Sequence, residues 1–271
     1  GWPGVLVAPP GAADVVIAVI DSGIDPAHPE FAGRLVPGRD FLDAAATVMT
    51  DDMGHGTHVA GIIAANADGQ GMQGATPAQV KIMPLKVLNS QINSFVHRGR
   101  VITDIFADAI IHAIQANVAV INMSMGWPQI INTPRVVRAL DVAHERGIVV
   151  VAASGNNNKD VPTWPCSHPS VICVGATDNR GGLTEFSNHG GRVDIAAPGE
   201  GIVSTTPRAL ESRVLRIAGY DVKNGSSQAA PLVAAAAALI KLRHPQATPA
   251  EIKARLYNTA QPLPVDADRR Y

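Results

Sequence analysis

The sequence is poor in aromatic residues and carries no surplus of charge of either sign. Phe, Trp and Tyr make up 4% of its 271 residues, whereas hydrophobic residues make up 46%, so the core must be built mainly from Ala, Val, Ile and Leu. The formal net charge is −1. Because no basic excess is available to neutralise phosphates, we expect no nucleic acid among the main partners.

Long apolar runs are missing as well. The longest, from Ala229 to Ile240, has 12 residues, which is too short to cross a bilayer. The first residues, Gly1-Trp2-Pro3, lack the charged start and apolar segment of a signal peptide. We therefore expect no membrane partner, and a chain that is either a mature exported form or cytoplasmic.

Cysteine is scarce, with only Cys166 and Cys173, seven positions apart. No CxxC pair and no third ligand accompany them, which argues against zinc. A local disulfide and two buried thiols both remain open, because the sequence does not fix the Cα separation that a bridge requires. We favour the disulfide.

What is abundant is an alternation of short apolar runs with longer amphipathic ones. The apolar runs predict strands at residues 15–21, 81–88, 118–125, 147–155, 171–177 and 193–199. The amphipathic stretches predict helices at residues 55–65, 103–117, 133–147, 227–243 and 248–260. Continuously apolar strands are typical of a parallel sheet covered on both faces. We therefore predict a doubly wound α/β fold, with a mostly parallel sheet and helices on both faces.

Local signals refine this prediction. Thr133 and Thr248 each precede a proline and are predicted caps, the second in a capping box with Glu251. Pro231 is expected in the first turn of its helix, where a missing N–H breaks no helical bond. No repeat or linker interrupts the chain, so we predict one domain over residues 1–271, of which 261–271 form a loose C-terminal tail.

Polar residues that follow apolar strands or open helices are candidates for chemistry, because ligands bind beyond the carboxyl ends of parallel strands. Asp21 ends the first predicted strand, His55 opens a helix, Asn156 follows another strand, and Ser226 and Ser227 precede the alanine-rich helix. Taken singly, each has a plainer interpretation: a turn, a packed core histidine, a polar loop or a helix cap. Together they are what a Ser-His-Asp triad with an oxyanion donor requires.

The segments around these residues, IAVIDSG, GHGTHVAG and GSSQAAP, resemble those of subtilisin-like serine proteases, the subtilases, in their order and spacing. The likeness runs from about Val15 to Ala260 and implies the subtilisin-like fold. It also implies that Ser227 is the nucleophile, His55 the general base and Asp21 its orienting carboxylate. By the same likeness Asn156 is the oxyanion donor.

The resemblance further implies a substrate cleft for peptides and proteins. Ser124, Met125 and Gly126 match the edge strand, and Ala152, Ala153 and Gly155 match the opposite wall. Small apolar walls predict an uncharged, apolar P1 side chain. Trp127 departs from the family pattern; its ring either narrows the cleft or is a surface aromatic beside Pro128. The segment 89–102 is longer than is typical of the family.

Calcium is a second implication of the resemblance. Glu30 and Asp68 fall where many relatives bind it, and hard oxygen ligands suit the ion. Two solvated acids are the alternative. The chemistry itself is expected to need no cofactor. The family likeness also predicts an inhibitory propeptide and secretion, and we expect a monomer.

The function predicted from the sequence is therefore a serine endopeptidase that works through an acyl-enzyme on Ser227. One alternative is a transpeptidase or peptide macrocyclase on the same fold, although no large insertion covering the cleft is apparent. The other is an inactive peptide-binding module, which the complete set of Asp21, His55, Asn156 and Ser227 argues against.

Overall fold

A computed structural model describes residues 11–263 of the chain, apart from 44, 47, 48, 93–95, 132, 161, 162, 211, 213 and 216. The helices are α1 (His55–Ala64), α2 (Ile102–Gln115), α3 (Pro134–Glu145), α4 (Ser226–Arg243) and α5 (Pro249–Thr259). The strands are β1 (Val15–Asp21), β2 (Arg39–Asp40), β3 (Val80–Lys86), β4 (Val96–His97), β5 (Arg100–Val101), β6 (Val120–Met123), β7 (Trp127–Pro128), β8 (Val149–Ala153), β9 (Thr163–Trp164), β10 (Val171–Thr177), β11 (Ile195–Pro198), β12 (Ile202–Thr205) and β13 (Tyr220–Lys223).

Seven of these strands form a parallel sheet in the order β11-β10-β8-β6-β1-β3-β2. Its central strands are almost entirely buried and apolar, as expected when both faces are covered. All six predicted strands lie in this sheet. The short β2 completes it at one edge; with only two residues it carries too little pattern to be read from the sequence.

Helices cover both faces of the sheet. α1 and α4 pack on one face with the buried side chains of Ile17, Val151 and Val174, whereas α2 and α3 pack on the other with those of Ile20, Ile121 and Val150. Alternate residues of β1 and β8 thus enter opposite cores, because successive side chains of a strand point to opposite faces. This arrangement confirms the predicted doubly wound architecture.

β1 is the strand at which the connections of the sheet change direction, and a functional site is expected at the end of such a strand. β1 lies between β3 and β6, so the chain runs to one side of β1 first and returns to the other side afterwards. Ligand sites of open α/β sheets lie outside the carboxyl ends of the strands at such a switch point. Asp21, the last residue of β1, occupies this position.

The helix starts match the predictions only in part. Thr248 and Glu251 form both bonds of the predicted capping box. Thr133 is the N-cap residue of α3 and Pro134 follows it, as predicted, but the side chain of Thr133 makes no cap bond. The prediction for Pro231 is wrong, because α4 already begins at Ser226 and Pro231 lies in its interior. An N–H at that position would have met the carbonyl of Ser227, four residues earlier.

Cys166 and Cys173 form a disulfide with a Cα–Cα distance of 4.9 Å. Both residues are buried. The bridge joins the loop after β9 to β10, directly beside β8, since the Sγ of Cys166 lies 3.3 Å from the carbonyl oxygen of Ala153. This confirms the favoured alternative for the two cysteines.

The structure shows how the two departures from the family pattern, the segment 89–102 and Trp127, are arranged. In the segment 89–102, β4 and β5 form an antiparallel hairpin, although residues 93–95 lie outside the described part. Trp127 is 5% exposed and packs against Phe106, with ring centroids 4.9 Å apart. The interpretation of Trp127 as a surface aromatic is therefore wrong.

The described part of the predicted tail, residues 261–263, has no regular structure, and residues 264–271 lie outside the description. Among the described helices, none combines the length and apolar character needed to cross a membrane.

Candidate active site

Asp21 and His55 are in direct contact at the carboxyl end of β1. Nδ1 of His55 lies 2.7 Å from Oδ1 of Asp21, whose side chain is 1% exposed, whereas that of His55 is 29% exposed. The N–H of Ser22 donates to the same carboxylate oxygen at 2.7 Å. A carboxylate only accepts, so the imidazole proton is on Nδ1 and Nε2 keeps a free lone pair. This tautomer is the one that a general base needs.

Close approach of the backbone makes this contact feasible. A Cβ atom on Gly56 would lie 2.2 Å from the carbonyl oxygen of Gly23 and 3.2 Å from Cβ of Asp21. Only glycine therefore allows the first turn of α1 to reach the end of β1. This close approach explains why a glycine follows His55 in the sequence.

The pKa of His55 is raised above its ordinary value. Burial alone would lower it, but the charge of Asp21, the hydrogen bond to Asp21 and the charge of Asp51 outweigh this effect, and Lys223 opposes them weakly. His58, one turn further on, behaves differently. Its pKa falls to about 4, chiefly through burial, so His58 is neutral. It is a packed core histidine, bonded to the carbonyl of Ile202 at 3.1 Å.

Ser227 lies in the first turn of α4 and is partly exposed. Its hydroxyl donates to the carbonyl oxygen of Ser124 at 2.9 Å, and the hydroxyl of Ser124 donates to the carbonyl oxygen of Ser227 at 2.8 Å. Asn122 in turn donates to the Ser124 hydroxyl at 3.0 Å. The start of α4 is thereby joined to the segment that follows β6.

Asn156 faces the same helix start, and Ser226 fixes its orientation. Its Oδ1 accepts from the main-chain N–H of Ser226 at 2.8 Å and from the Ser226 hydroxyl at 2.9 Å. The Ser226 hydroxyl also accepts from the N–H of Gly155 at 3.1 Å. Asn156 is exposed, and a Cβ atom built on Gly225 would lie 3.2 Å from its amide nitrogen Nδ2 and 3.6 Å from the main-chain nitrogen of Ser227. Two possible donors to an anion thus lie close to Gly225.

The two predicted cleft walls flank a residue that the sequence did not single out. Thr163 donates through Oγ1 to the carbonyl of Ser154 at 3.2 Å. A Cβ atom built on Gly126 would lie 3.5 Å from the same Oγ1. Thr163 therefore bridges Gly126 on one side and Ser154 on the other. Ala152 and Ala153 are buried at the end of β8, with side chains in opposite cores, and Ser154 is buried as well, whereas Gly155 is partly exposed.

A model of the subtilase family, peptidase family S8, matches residues 12–271. The chain belongs to the subtilase family. Subtilisin from Bacillus pumilus is 38% identical over 255 residues, which cover 92% of this chain and 84% of that protein. Subtilisin E from Bacillus subtilis (strain 168) is also 38% identical over 255 residues; this chain spans 92% of its own length but 61% of that protein.

A solved structure gives the same result for the fold. Fervidolysin from Fervidobacterium pennivorans, described as a keratinolytic enzyme related to subtilisin, is 32% identical, with a TM-score of 0.81 over 92% of this chain and 39% of that one. The subtilisin-like fold expected from the sequence is thus confirmed. This subtilase is accordingly a subtilisin-like serine endopeptidase, a hydrolase.

The two residues expected to bind calcium in this subtilase lie near each other but are held differently. Oε1 of the buried Glu30 accepts from the Tyr220 hydroxyl at 2.7 Å and from the N–H of Met72 at 2.9 Å. Its Oε2 is buried, and no partner for it occurs among the described residues. Asp68 is exposed and accepts from the N–H of Gln70 at 2.9 Å. The pKa of Tyr220 is raised to about 12 by burial, the hydrogen bond and charge of Glu30, and the charge of Asp68.

In the described part of the subtilase, no cluster of three or more His, Cys, Asp or Glu side chains is arranged to hold a metal. Main-chain oxygens of the loop after α1 would have to complete any site at Glu30. The unpartnered Oε2 fits such a site, because a buried carboxylate oxygen is costly without a donor or a cation.

Proposed function

We propose that this subtilase hydrolyses peptide bonds through an acyl-enzyme on Ser227. In this proposal His55 is the general base, Asp21 is the carboxylate that orients it, and Asn156 is the oxyanion donor. The observation that carries the proposal is the 2.7 Å contact between Nδ1 of His55 and Asp21, since it leaves Nε2 able to accept a proton. The raised pKa of His55 suits a group that must hold this proton in the intermediate.

The reaction begins when the hydroxyl of Ser227 leaves the carbonyl of Ser124 and turns to Nε2 of His55. The imidazole takes its proton as Oγ attacks the substrate carbonyl carbon. The carbonyl electrons move to oxygen, where Nδ2 of Asn156 and the N–H of Ser227 donate to the oxyanion. The positive end of α4 favours the same charge.

The tetrahedral intermediate collapses when the C–N bond breaks and His55 returns its proton to the leaving amine. Water then enters, gives a proton to His55 and attacks the acyl carbon. When the second tetrahedral intermediate collapses, His55 returns this proton to Oγ of Ser227 and the carboxylic acid is released. Asp21 stays ionised throughout and holds the imidazolium by charge and hydrogen bond.

For the substrate we propose a peptide strand that pairs with Ser124–Gly126 and places its P1 side chain between Gly126 and Ser154. Strand addition gives general affinity, and the pocket gives selectivity. Thr163 would form the floor of this pocket, because its side chain joins the two walls. The pocket residues are uncharged, which favours an uncharged P1 side chain of moderate size.

Cleavage of a peptide library tests this specificity. Uncharged P1 residues are expected among the preferred cleavage sites, and Thr163→Gly is expected to extend the range towards larger side chains. A preference for Lys, Arg, Asp or Glu at P1 would contradict the proposal.

An active-site serine probe tests the mechanism. A fluorophosphonate should label the wild-type protein and leave Ser227→Ala unlabelled, and peptide digests should contain hydrolysed ends. Label retained by Ser227→Ala would overturn the assignment of the nucleophile. Ligated or cyclic peptides as the main products would instead indicate a transpeptidase.

We further propose a structural calcium ion at Glu30 and Asp68, which would neutralise the buried carboxylate oxygen of Glu30 and brace the loop after α1. We also propose that the protein is exported, is made with an inhibitory propeptide and acts as a monomer. The disulfide supports export, because such bridges persist in oxidising compartments. Recovery of the bridged protein from the culture medium tests this point.

A further inference from the structure

A second buried acid lies beneath the start of α1. Asp51 is 5% exposed and accepts five hydrogen bonds. Its Oδ1 accepts from the hydroxyl of Ser22 at 2.8 Å and from the N–H groups of Met53 and Gly54 at 3.1 and 2.9 Å. Its Oδ2 accepts from the N–H and the hydroxyl of Thr57, at 2.8 and 2.7 Å. Asp51 thus holds the residues on both sides of His55.

The charge of Asp51 is not neutralised by an ion pair. Among the described residues, no Lys, Arg or His forms a salt bridge with it. The next residue, Asp52, is 41% exposed and pairs with Lys86 at 3.1 Å. Burying a carboxylate without a counterion is costly, and main-chain donors at a helix start offset only part of that cost.

Ser22 connects this acid to the other half of the site. Its hydroxyl donates to Asp51 and accepts from the N–H of Gly56 at 2.9 Å. Its own N–H donates to Oδ1 of Asp21 at 2.7 Å. A continuous chain of hydrogen bonds therefore runs from Asp21 through Ser22 to Asp51 and to the residues adjacent to His55.

We propose that Asp51 is a positioning residue of the active site, which fixes the start of α1 so that His55 meets Asp21 and whose unpaired charge stabilises the protonated imidazole during catalysis. The inference rests on the proposed role of His55 as the base.

The electrostatic surroundings of His55 are consistent with this role. Asp21 faces it from β1, Asp51 from the segment before α1, Lys223 from β13 and His58 from α1 itself. Burial lowers the pKa of His55, Asp21 and Asp51 raise it, and Lys223 lowers it. His58 is neutral near pH 7, so it contributes no opposing charge there. Removing the charge of Asp51 should therefore lower the pKa of His55.

The test is direct titration of His55 by NMR in the Ser227→Ala protein, which should not digest itself. His55 is assigned by comparison with a Ser227→Ala/His55→Gln protein. Asp51→Asn is expected to move the midpoint of His55 to lower pH, while the matched control Asp52→Asn leaves it in place. An unmoved midpoint in Asp51→Asn, or an equal shift in both variants, overturns the inference.

Kinetics in the active enzyme provide the second arm. Asp51→Asn is expected to lower kcat by about 10- to 100-fold, the scale of a small misplacement of a catalytic group, with little change in KM. Ser22→Ala keeps the charge of Asp51 but removes the hydroxyl that joins Asp51 to Gly56. We therefore expect kcat to fall, while the acid limb of the pH profile of kcat/KM stays at the same pH. Unchanged kcat in Ser22→Ala would count against positioning, and this variant carries the test if Asp51→Asn does not fold.

The two arms separate the inference from the proposed function. If Asp51→Asn shifts the NMR midpoint of His55 but leaves the acid limb of kcat/KM in place, the electrostatic coupling between Asp51 and His55 is real and His55 is not the base. Retained activity in His55→Ala would likewise contradict the proposed function of His55, and it would leave the NMR result unaffected.

Discussion

The hydroxyl oxygen of Ser227 lies 2.9 Å from the carbonyl oxygen of Ser124 and donates its hydrogen bond there. Ser124 opens the segment on which we expect the substrate to pair. The proposed nucleophile is thus held by the proposed cleft edge, and its hydroxyl must leave the carbonyl of Ser124 before it can give its proton to His55.

Replacing each of the two adjacent serines should give opposite results. Ser227→Ala is expected to lower kcat by about 10⁶-fold, a magnitude taken from subtilisin, because no nucleophile remains. Ser226→Ala should cost no more than about tenfold, since Asn156 loses one of two donors and the N–H of Ser226 still holds it. Turnover of a peptide substrate measures both. A larger loss in Ser226→Ala than in Ser227→Ala would show that the wrong serine is assigned.

Asn156→Ala should lower kcat and leave KM nearly unchanged, because the oxyanion exists only after attack. The expected loss is about 10²–10³-fold, again a magnitude known from subtilisin. Asn157→Ala is the matched control, since the contact that anchors Asn157 is its main-chain N–H to Asn188. Equal effects of the two substitutions would contradict the oxyanion role.

The pH profile of kcat/KM should show an acid limb above pH 6.5, because the pKa of His55 is raised and only the neutral imidazole accepts a proton. Activity is present above this pKa and is lost as the pH falls through it. In Asp21→Asn the limb should move to lower pH and kcat should fall, since the imidazolium loses its charged partner. An acid limb at or below pH 6.5 in the wild-type protein would contradict the conclusion that the pKa of His55 is raised.

Chelation should lower the melting temperature more than the initial activity, because the proposed calcium site lies apart from the reacting groups. An ion that binds only the native state adds about 2.7 kcal/mol at a free concentration of about 100 times its Kd. Glu30→Gln should abolish the response to added calcium. As a control, Asp178→Asn removes a carboxylate that accepts from main-chain N–H groups in a turn, as that of Asp68 does. This variant should keep the response to added calcium. A melting curve unaffected by chelator would remove the calcium proposal.

Replacing Cys166 and Cys173 together by serine should lower stability by about 2–3 kcal/mol, the entropic worth of so short a loop, and the melting temperature by several degrees. The bridge lies beside Ala153 and hence beside the cleft wall, so specificity for P1 is expected to broaden. Thermal unfolding with and without reductant measures the effect. The double variant is its own control, because reductant should no longer change its melting temperature.

The sequence was sufficient to predict the sheet and the residues proposed for catalysis, since periodicity and three short motifs are local properties. Strand ends were less certain: the predicted strand 118–125 is shorter in the structure, Val120–Met123, because Ser124 and Met125, the proposed cleft edge, lie outside the sheet. The antiparallel strand pairs β4–β5, β7–β9 and β12–β13 were not predicted, because strands of two to four residues carry almost no pattern.

Residues that support the site were missed for a different reason. Asp51 and Ser22 are 29 positions apart, and only the folded chain brings the carboxylate to the hydroxyl. Thr163 lies nine positions after Ser154, in a segment whose sequence has no strand or helix pattern, and only the fold brings its hydroxyl to the Ser154 carbonyl. The signal that the sequence offers for Asp51 is an aspartate four residues before His55, at the start of a predicted helix. The sequence left the position of Trp127 open, because its partner, Phe106, lies on α2, a separate element that only the fold brings to it. The assignment of residues 1–271 to one domain stays a prediction.

Pro231 has a consequence beyond the geometry of α4. Because it has no N–H to offer, the carbonyl oxygen of Ser227 is left without its usual helical partner, and the hydroxyl of Ser124 takes that place. The helix gives up one internal bond at the very residue proposed to attack, and gains an attachment to the strand proposed to receive the peptide. The proposed nucleophile and the segment proposed to bind the peptide are therefore joined by two hydrogen bonds, so a displacement of one is expected to shift the other.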